Sequence, residues 1–245
     1  MHRFFADDRG VVDGAAWLGT EDSRHALRVL RLEAGDDIEL VSAPERYLAR
    51  IENTDGECVA VRIMQTLRST EARTRVTLYQ GLPKADKMEL IVQKATELGV
   101  HAIQPVAMER CVVKLEGKDR KTERWQKIAR EAVKQCARVA VPEVREVKKL
   151  VALLNELRGL DLLIVPWEDA RDGSVRACVE ALGRDKPLSV GILIGPEGGI
   201  SPKEAQWLCD EAGSRLVTLG PRILRTETAG LCALTMVMAF QGELE

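Results

Sequence analysis

The chain has 245 residues, enough for one large domain or two modest ones, with 45% hydrophobic and 30% charged side chains and a formal net charge of −2. No apolar run approaches the roughly eighteen residues of a membrane span, and Met1-His2-Arg3-Phe4-Phe5-Ala6-Asp7-Asp8 is too acidic for a signal peptide, so a cytoplasmic location is expected. Cys58, Cys111, Cys136, Cys178, Cys209 and Cys232 form no C-x-x-C pair and the three histidines are dispersed, which speaks against a metal site and for buried reduced thiols.

The first seventy or so residues read as a small strand-rich unit. Ile38–Val41, Tyr47–Ile51 and Val59–Ile63 alternate or run apolar over strand lengths, and Asn53-Thr54-Asp55-Gly56 is a turn signal. A short helix fits Asp22–Leu30, and the polar stretch Gln65–Arg75 reads as a linker. From Val76 the rhythm changes to strands alternating with helices. Val76–Gly81 is a strand, a helix opens near Asp86 and stops at Gly99, and Val100–Val106 is the next strand.

A long amphipathic helix fits Thr122–Val139, with Trp125, Ile128, Ala129, Ala132, Cys136 and Val139 inward. Lys127, Arg130, Lys134 and Arg138 recur on its other side as a basic stripe. The stripe belongs to a local excess of charge. Residues 110–138 carry 10 basic against 4 acidic side chains, while residues 1–75 carry 11 Arg and no Lys against 14 acidic ones. Such a stripe suits a polyanion, or simply a solvated helix face.

Leu162–Val165 and Val190–Ile194 are continuous apolar runs, as in parallel strands buried on both faces. Ser201-Pro202-Lys203-Glu204 is a capping box with proline at the first helical position, Gly213 ends that helix, Leu216–Leu219 is the last strand, and a helix runs from about Thr226 to Phe240. Strands separated by helices imply an α/β fold with a parallel sheet covered on both sides.

No G-x-G-x-x-G, P-loop, H-E-x-x-H or G-x-S-x-G motif is present, so dinucleotide, nucleoside-triphosphate, zinc-protease and α/β-hydrolase readings lose their main support. Two turn-forming segments remain, Ile194-Gly195-Pro196-Glu197-Gly198-Gly199 and Leu219–Ala229, each at the end of an apolar run. Ligands of open α/β sheets bind outside the carboxyl ends of the strands, so two such loops suggest one site. Leu219-Gly220 and Ile223-Leu224 offer apolar and backbone surface for a flat ring. Arg225, Glu227 and Thr228 offer charge and hydrogen bonding, though Thr226-Glu227-Thr228 also reads as plain helix capping.

Across nearly its whole length the chain resembles the SPOUT class of RNA methyltransferases, and within it the bacterial small-subunit rRNA uridine-N3 methyltransferases. The resemblance is carried by Arg3-Phe4-Phe5, His25 with Val29-Leu30-Arg31-Leu32, Gly35-Asp36, Lys84-Ala85-Asp86-Lys87-Met88-Glu89, Gln93-Lys94-Ala95-Thr96-Glu97-Leu98-Gly99, Arg124-Trp125, Gln135 with Arg138, Pro142 and the two C-terminal loops. Departures are few: Cys136 and Ala137 stand where small Ser and Gly are expected, and Ile200 where Phe or Leu is common.

The resemblance implies a PUA-like β-barrel over residues 1–72 and, over 73–245, a parallel-sheet methyltransferase domain whose last segment threads a trefoil knot. It implies S-adenosylmethionine as cofactor, a homodimer, no metal, and 16S rRNA or the small ribosomal subunit as partner. The cofactor walls would be Pro166, Trp167, Ile194, Gly195, Pro196, Glu197, Gly198, Gly199, Leu219, Gly220, Ile223, Leu224, Thr228 and Ala229. Uridine N3 must lose its proton before attack, so a cation beside the base (Arg225 or Arg138) and a carboxylate to take the proton (Glu227 or Glu197) are expected. RNA contacts are expected from Arg3, Arg28, Arg31, Lys84, Lys127, Arg130, Lys134 and Arg138. Two other readings stay open: action on another RNA such as tRNA, and an RNA-binding assembly factor without catalysis.

Overall fold

The computed structural model describes residues 1–54, 58–112, 118–183 and 186–244, the side chains of 118–120 excepted. The chain divides into two units, Met1–Glu71 and Ala72–Glu245.

In the first unit, strands β1 (Arg3–Phe5), β2 (Ala15–Trp17), β3 (Asp37–Ser42), β4 (Glu45–Asn53) and β5 (Ala60–Leu67) form one sheet in the order β1-β3-β4-β5-β2. Only the β1–β3 pair is parallel. The two edge strands come together at a single bridge between Ala6 and Leu18, and Asp7 N donates to the Trp17 carbonyl at 2.8 Å. The sheet is thus curled into a half-barrel rather than closed by a full ladder. Alternation selects the core: Ile38 and Leu40, Ala49 and Ile51, Val59 and Val61 point inward onto Phe4 and Leu18. Three differences from the sequence reading stand out. β1 and β2 are too short to show a period, and β5 extends through Leu67 into the stretch read as linker. The expected helix at Asp22–Leu30 is α1 (Thr20–Arg24) followed by a π-helical turn, His25–Val29, in which Leu30 N donates to the His25 carbonyl. The turn expected at 53–56 lies partly outside the described residues.

The second unit is built on β6 (Arg75–Gly81), α2 (Lys87–Glu97), β7 (Ala102–Ala107), α3 (Lys118–Cys136), β8 (Glu143–Val144), β9 (Lys148–Lys149), α4 (Leu154–Arg158), β10 (Leu162–Pro166), α5 (Val175–Glu180), β11 (Ser189–Ile194), α6 (Pro202–Ala212), β12 (Arg215–Val217) and α7 (Thr226–Phe240). Its sheet runs β12-β10-β11-β6-β7-β8, with β9 also on β7, and every pairing is parallel. Period-two alternation splits the strands between two cores. Leu78, Ile164, Ile192 and Ile194 face α2, α3, α5 and α7, while Tyr79, Val165 and Leu193 face α4 and α6. Each such buried aliphatic side chain stabilises the fold by about 1.5–3 kcal/mol.

Helix ends follow their local chemistry. Ser201 accepts from the Glu204 backbone and Glu204 reaches back to the Ser201 N–H, completing the expected capping box, and Gly213 closes α6 in the left-handed region at φ +65°. The cysteines are unbridged as expected, but all six are half-buried rather than buried. No helix of the described residues is long and apolar enough to cross a membrane.

Candidate active site

β10, β11 and β12 lie side by side, and the loops leaving their carboxyl ends wall a cavity of about 850 Å3. The first loop, Gly195–Gly199, folds back on itself through a bond from Gly199 N to the Pro196 carbonyl at 2.9 Å. Gly199 sits at φ +71°, and a side chain there would run into the Glu168 carboxylate, 3.0 Å from the position of its Cβ. The second loop, Thr218–Arg225, is opened by Gly220 N donating to Thr218 Oγ1 at 3.1 Å and ends at the start of α7. The third wall follows β10. Trp167 N donates to the Val217 carbonyl at 3.1 Å, and its indole Nε1 donates to the Ile200 carbonyl at 3.3 Å, fixing the ring across the first loop.

Every residue assigned from sequence to a cofactor wall lines this cavity except Thr228, which is exposed on the first turn of α7. Ile223, expected to pack on a ring, is 90% exposed in the protomer. Arg225 lines the cavity as the N-cap residue of α7 and is exposed.

Lys87 also lines the cavity; the sequence names it within the Lys84–Glu89 motif but assigns it no role in the site. Its Nζ lies 3.1 Å from Glu197 Oε1 and 3.1 Å from Glu227 Oε2. The backbone N–H of Lys84 donates to both oxygens of Glu197, at 3.0 and 3.2 Å. Burial pushes the Glu197 carboxyl up, but the N–H groups of Glu197 itself and of Lys84, with the Lys87 ammonium, outweigh it and hold the group below the usual carboxylate range. The two carboxylates raise the Lys87 ammonium, Glu197 first and Glu227 second. A signal for Lys87 was present: a cation in the first turn of a helix opposes the helix dipole unless acids compensate it.

The other candidate cation is elsewhere. Arg138 is buried at 6% exposure and donates to the Thr96 and Val100 carbonyls, at 3.0 and 2.9 Å. These carbonyls close the far end of α2, beside the amino end of β6, where His101 N meets the Val76 carbonyl. Arg138 is therefore at the opposite end of the sheet from the cavity, and its guanidinium does not face outward with the stripe. Periodicity alone put it there, because the helix stops at Cys136, before Arg138 is reached.

The remaining basic candidates fall in both units. Lys84, Lys127, Arg130 and Lys134 are exposed on the second, with Lys134 3.6 Å from Glu131; Arg28 and Arg31 are exposed on the first. Arg3 is half-buried against Glu39 at 2.5 Å, a carboxylate it shares with Arg46 at 3.3 Å, so its guanidinium is held to the sheet. Lys114, Lys118 and Arg120 of the basic segment lie outside the described side chains.

This arrangement has known counterparts. Residues 70–238 match the RNA methyltransferase domain family, and residues 18–63 match the RNA methyltransferase PUA domain, which defines the class as an RNA methyltransferase with a PUA module. The chain is 37% identical to the ribosomal RNA small subunit methyltransferase E of Bacillus subtilis over 91% of its own length and 89% of that protein. The Aquifex aeolicus protein of the same name is 31% identical, covering 98% of this chain and all of that one. A crystal structure of a ribosomal RNA small subunit methyltransferase E from Neisseria gonorrhoeae, bound to S-adenosylmethionine, superposes with a TM-score of 0.74 at 32% identity, over 98% of this chain and 97% of that one. The chain belongs to the SPOUT-class family of ribosomal RNA small subunit methyltransferases E.

Proposed function

We propose that this protein methylates N3 of a uridine in the 16S rRNA of the small ribosomal subunit, with S-adenosylmethionine as methyl donor. The observation that carries the reading is the cavity walled by three strand-exit loops in a chain of this family. The residues present fit that cofactor. The backbone of Gly195–Gly199 lines the cavity, Leu219 and Leu224 supply apolar surface, and Glu168 and Glu197 supply negative charge suited to a cationic ligand. When bound, the cofactor supplies a methyl group on a positively charged sulfur, which is a good leaving group.

The chain's own residues prepare the nucleophile. Arg225, which lines the cavity and is exposed, is the cation we assign to the uracil carbonyls, where its charge favours the N3 anion. Of the two carboxylates, Glu227 is the one we assign to take the proton. It shares Lys87 but lacks the paired backbone donors that hold Glu197 ionised. Glu197 then acts as a strut between the first loop and the entry of α2. Arg138 is left a structural role by its place at the far end of the sheet.

The target base must be turned out to expose its Watson–Crick edge. Lys84, Lys127, Arg130 and Lys134 track phosphate from one unit, Arg28 and Arg31 from the other, and Arg3 contributes least because Glu39 holds it. A trefoil knot is supported by the path of the chain. From the sheet edge at β12 it crosses β10 and β11 to reach α7 against β6 and α2, and the loop after β10 lies over the end of β12, with Thr218 N donating to the Gly173 carbonyl. A homodimer is part of the same reading, in which a second copy would cover Ile223, 90% exposed at the edge of the cavity. A cytoplasmic location accords with the substrate.

The test is methyl transfer from labelled S-adenosylmethionine to small subunits lacking the modification, followed by nucleoside mass spectrometry. The expected product is 3-methyluridine; transfer to a different nucleoside, or to tRNA alone, would overturn the reading.

A further inference from the structure

Beneath the two cofactor loops lies a polar chain that the chemistry above does not use. Gln80, near the end of the apolar strand β6, is fully buried, and Thr226, at the start of α7, is buried above it. Gln80 Nε2 donates to Thr226 Oγ1 at 2.8 Å and to the Gly81 carbonyl at 3.1 Å, and Thr226 Oγ1 donates to the Gly195 carbonyl at 2.6 Å. A hydroxyl has one proton. Because that proton goes to Gly195, Thr226 can only accept from Gln80, and the polarity of the chain is fixed from amide to hydroxyl to carbonyl.

The other half of the same amide is poorly served. Gln80 Oε1 is buried with no hydrogen-bond partner among the described residues. It faces α7 at Gly230, where a Cβ would come within 3.2 Å of it and within 3.6 Å of Ile194 and Leu78. An unbranched apolar side chain of similar length would fill this apolar place and remove the unsatisfied Oε1, which offsets the bond lost at the Gly81 carbonyl. What glutamine adds at this position is the N–H that holds Thr226.

We propose that Gln80 and Thr226 form a positioning relay that locks the Gly195 carbonyl into the protein and so sets the affinity for S-adenosylmethionine. Gly195 belongs to the first cofactor loop and Thr226 follows the second as the first residue of α7, and both line the cavity. One hydroxyl therefore ties together two walls that are 31 residues apart in the chain. With its carbonyl held inward, the Gly195–Pro196 peptide keeps one orientation toward the ligand, and the loop enters binding already ordered. Gln80 touches no ligand itself; it acts through Thr226. The inference rests on the reading of the cavity as the cofactor site.

The experiment measures S-adenosylmethionine affinity by calorimetry, and the thermal midpoint without cofactor, for the wild-type chain and for Gln80→Met, Thr226→Val and Thr226→Ser. Gln80→Met and Thr226→Val are expected to weaken binding by about tenfold, with Thr226→Ser within about twofold of wild type. The Gln80→Met midpoint is expected to equal or exceed that of wild type, which separates positioning from structural support. Three results overturn the relay while wild type binds: Gln80→Met and Thr226→Val at wild-type affinity, Thr226→Ser as weak as Thr226→Val, or losses that track a fallen midpoint. A wild-type chain that fails to bind overturns the cofactor reading itself, and the relay with it.

Discussion

The ammonium of Lys87 lies 3.1 Å from the carboxylate of Glu227, joining the first turn of α2 to the first turn of α7. The same ammonium reaches Glu197 at 3.1 Å, so one cation contacts both carboxylates, of which Glu197 lines the cavity. Removing the ammonium raises the proton affinity of Glu197, so the strut between the first loop and α2 loses its charge at a higher pH, and it leaves Glu227 without its ammonium partner. Lys87→Met is expected to lower the single-turnover methylation rate by about tenfold or more, most severely at the acid end of the range. Stability follows the same sign. Glu197 has a lowered folded-state pKa, so its stabilisation is full above the ordinary carboxylate value and is lost as pH falls through the lowered one. The variant should therefore unfold in acid at a higher pH than wild type. A pH–rate profile with a uniform loss, or none, would remove Lys87 from the machinery.

Arg138 supports the sheet from the end away from the chemistry. It spans the Thr96 and Val100 carbonyls at the close of α2, where a buried charged donor satisfies two acceptors at once. Arg138→Met leaves both carbonyls without it, and a loss of about 2–3 kcal/mol is expected in urea unfolding. Cofactor affinity should stay within about twofold of wild type in the folded fraction, since the cavity lies at the other end of the strands. A stable Arg138→Met protein that binds cofactor but transfers no methyl would instead return Arg138 to the active site.

The parts legible in the sequence were those governed by local rules. α7 begins at Thr226 and ends at Phe240 as read, and α6 carries its capping box, because polar caps and long apolar stretches are written in adjacent residues. The two loops that wall the cavity were legible for the same reason, as turn chemistry at the ends of apolar runs. What escaped depends on contacts distant in sequence or on segments too short for a period. β1 and β2 are three residues each, β8 and β9 two each, and α4 and α5 barely exceed a turn. Lys87 and Gln80 were given no role in the site because their partners, Glu197, Glu227 and Thr226, come more than a hundred residues later. Arg138 was misplaced because a helical stripe was carried past the end of its helix.

That end has a conformational cost. Ala137 follows α3 at φ +68°, in the left-handed region, at a position where the family resemblance led to an expectation of glycine. An alanine there costs about 1–2 kcal/mol, and glycine gives back about 0.4–1 kcal/mol of this through the greater freedom of the unfolded chain. Ala137→Gly is expected to stabilise the protein by about 0.5–1 kcal/mol, a rise of about 1–4 °C in Tm for a domain of this size. Calorimetric scans of the two proteins at one pH check this, and a lower Tm for the glycine variant would refute it.

The exposed basic residues of α3 test the RNA side of the reading without touching the cavity. Lys127 and Arg130 are exposed beside the inward-facing Trp125 and Ala129, so their charge bears on solvent and not on the core. Each phosphate contact contributes counterion release, which makes affinity fall with salt by about 0.7 in the log–log slope per contact for single-stranded RNA. Lys127→Ala with Arg130→Ala is expected to leave Tm unchanged, weaken binding to small-subunit RNA, and make that slope shallower by about 1.4. Cofactor affinity should not move. Filter binding across a salt series reads both quantities, and an unchanged slope would show that α3 presents a solvated face and not a phosphate track.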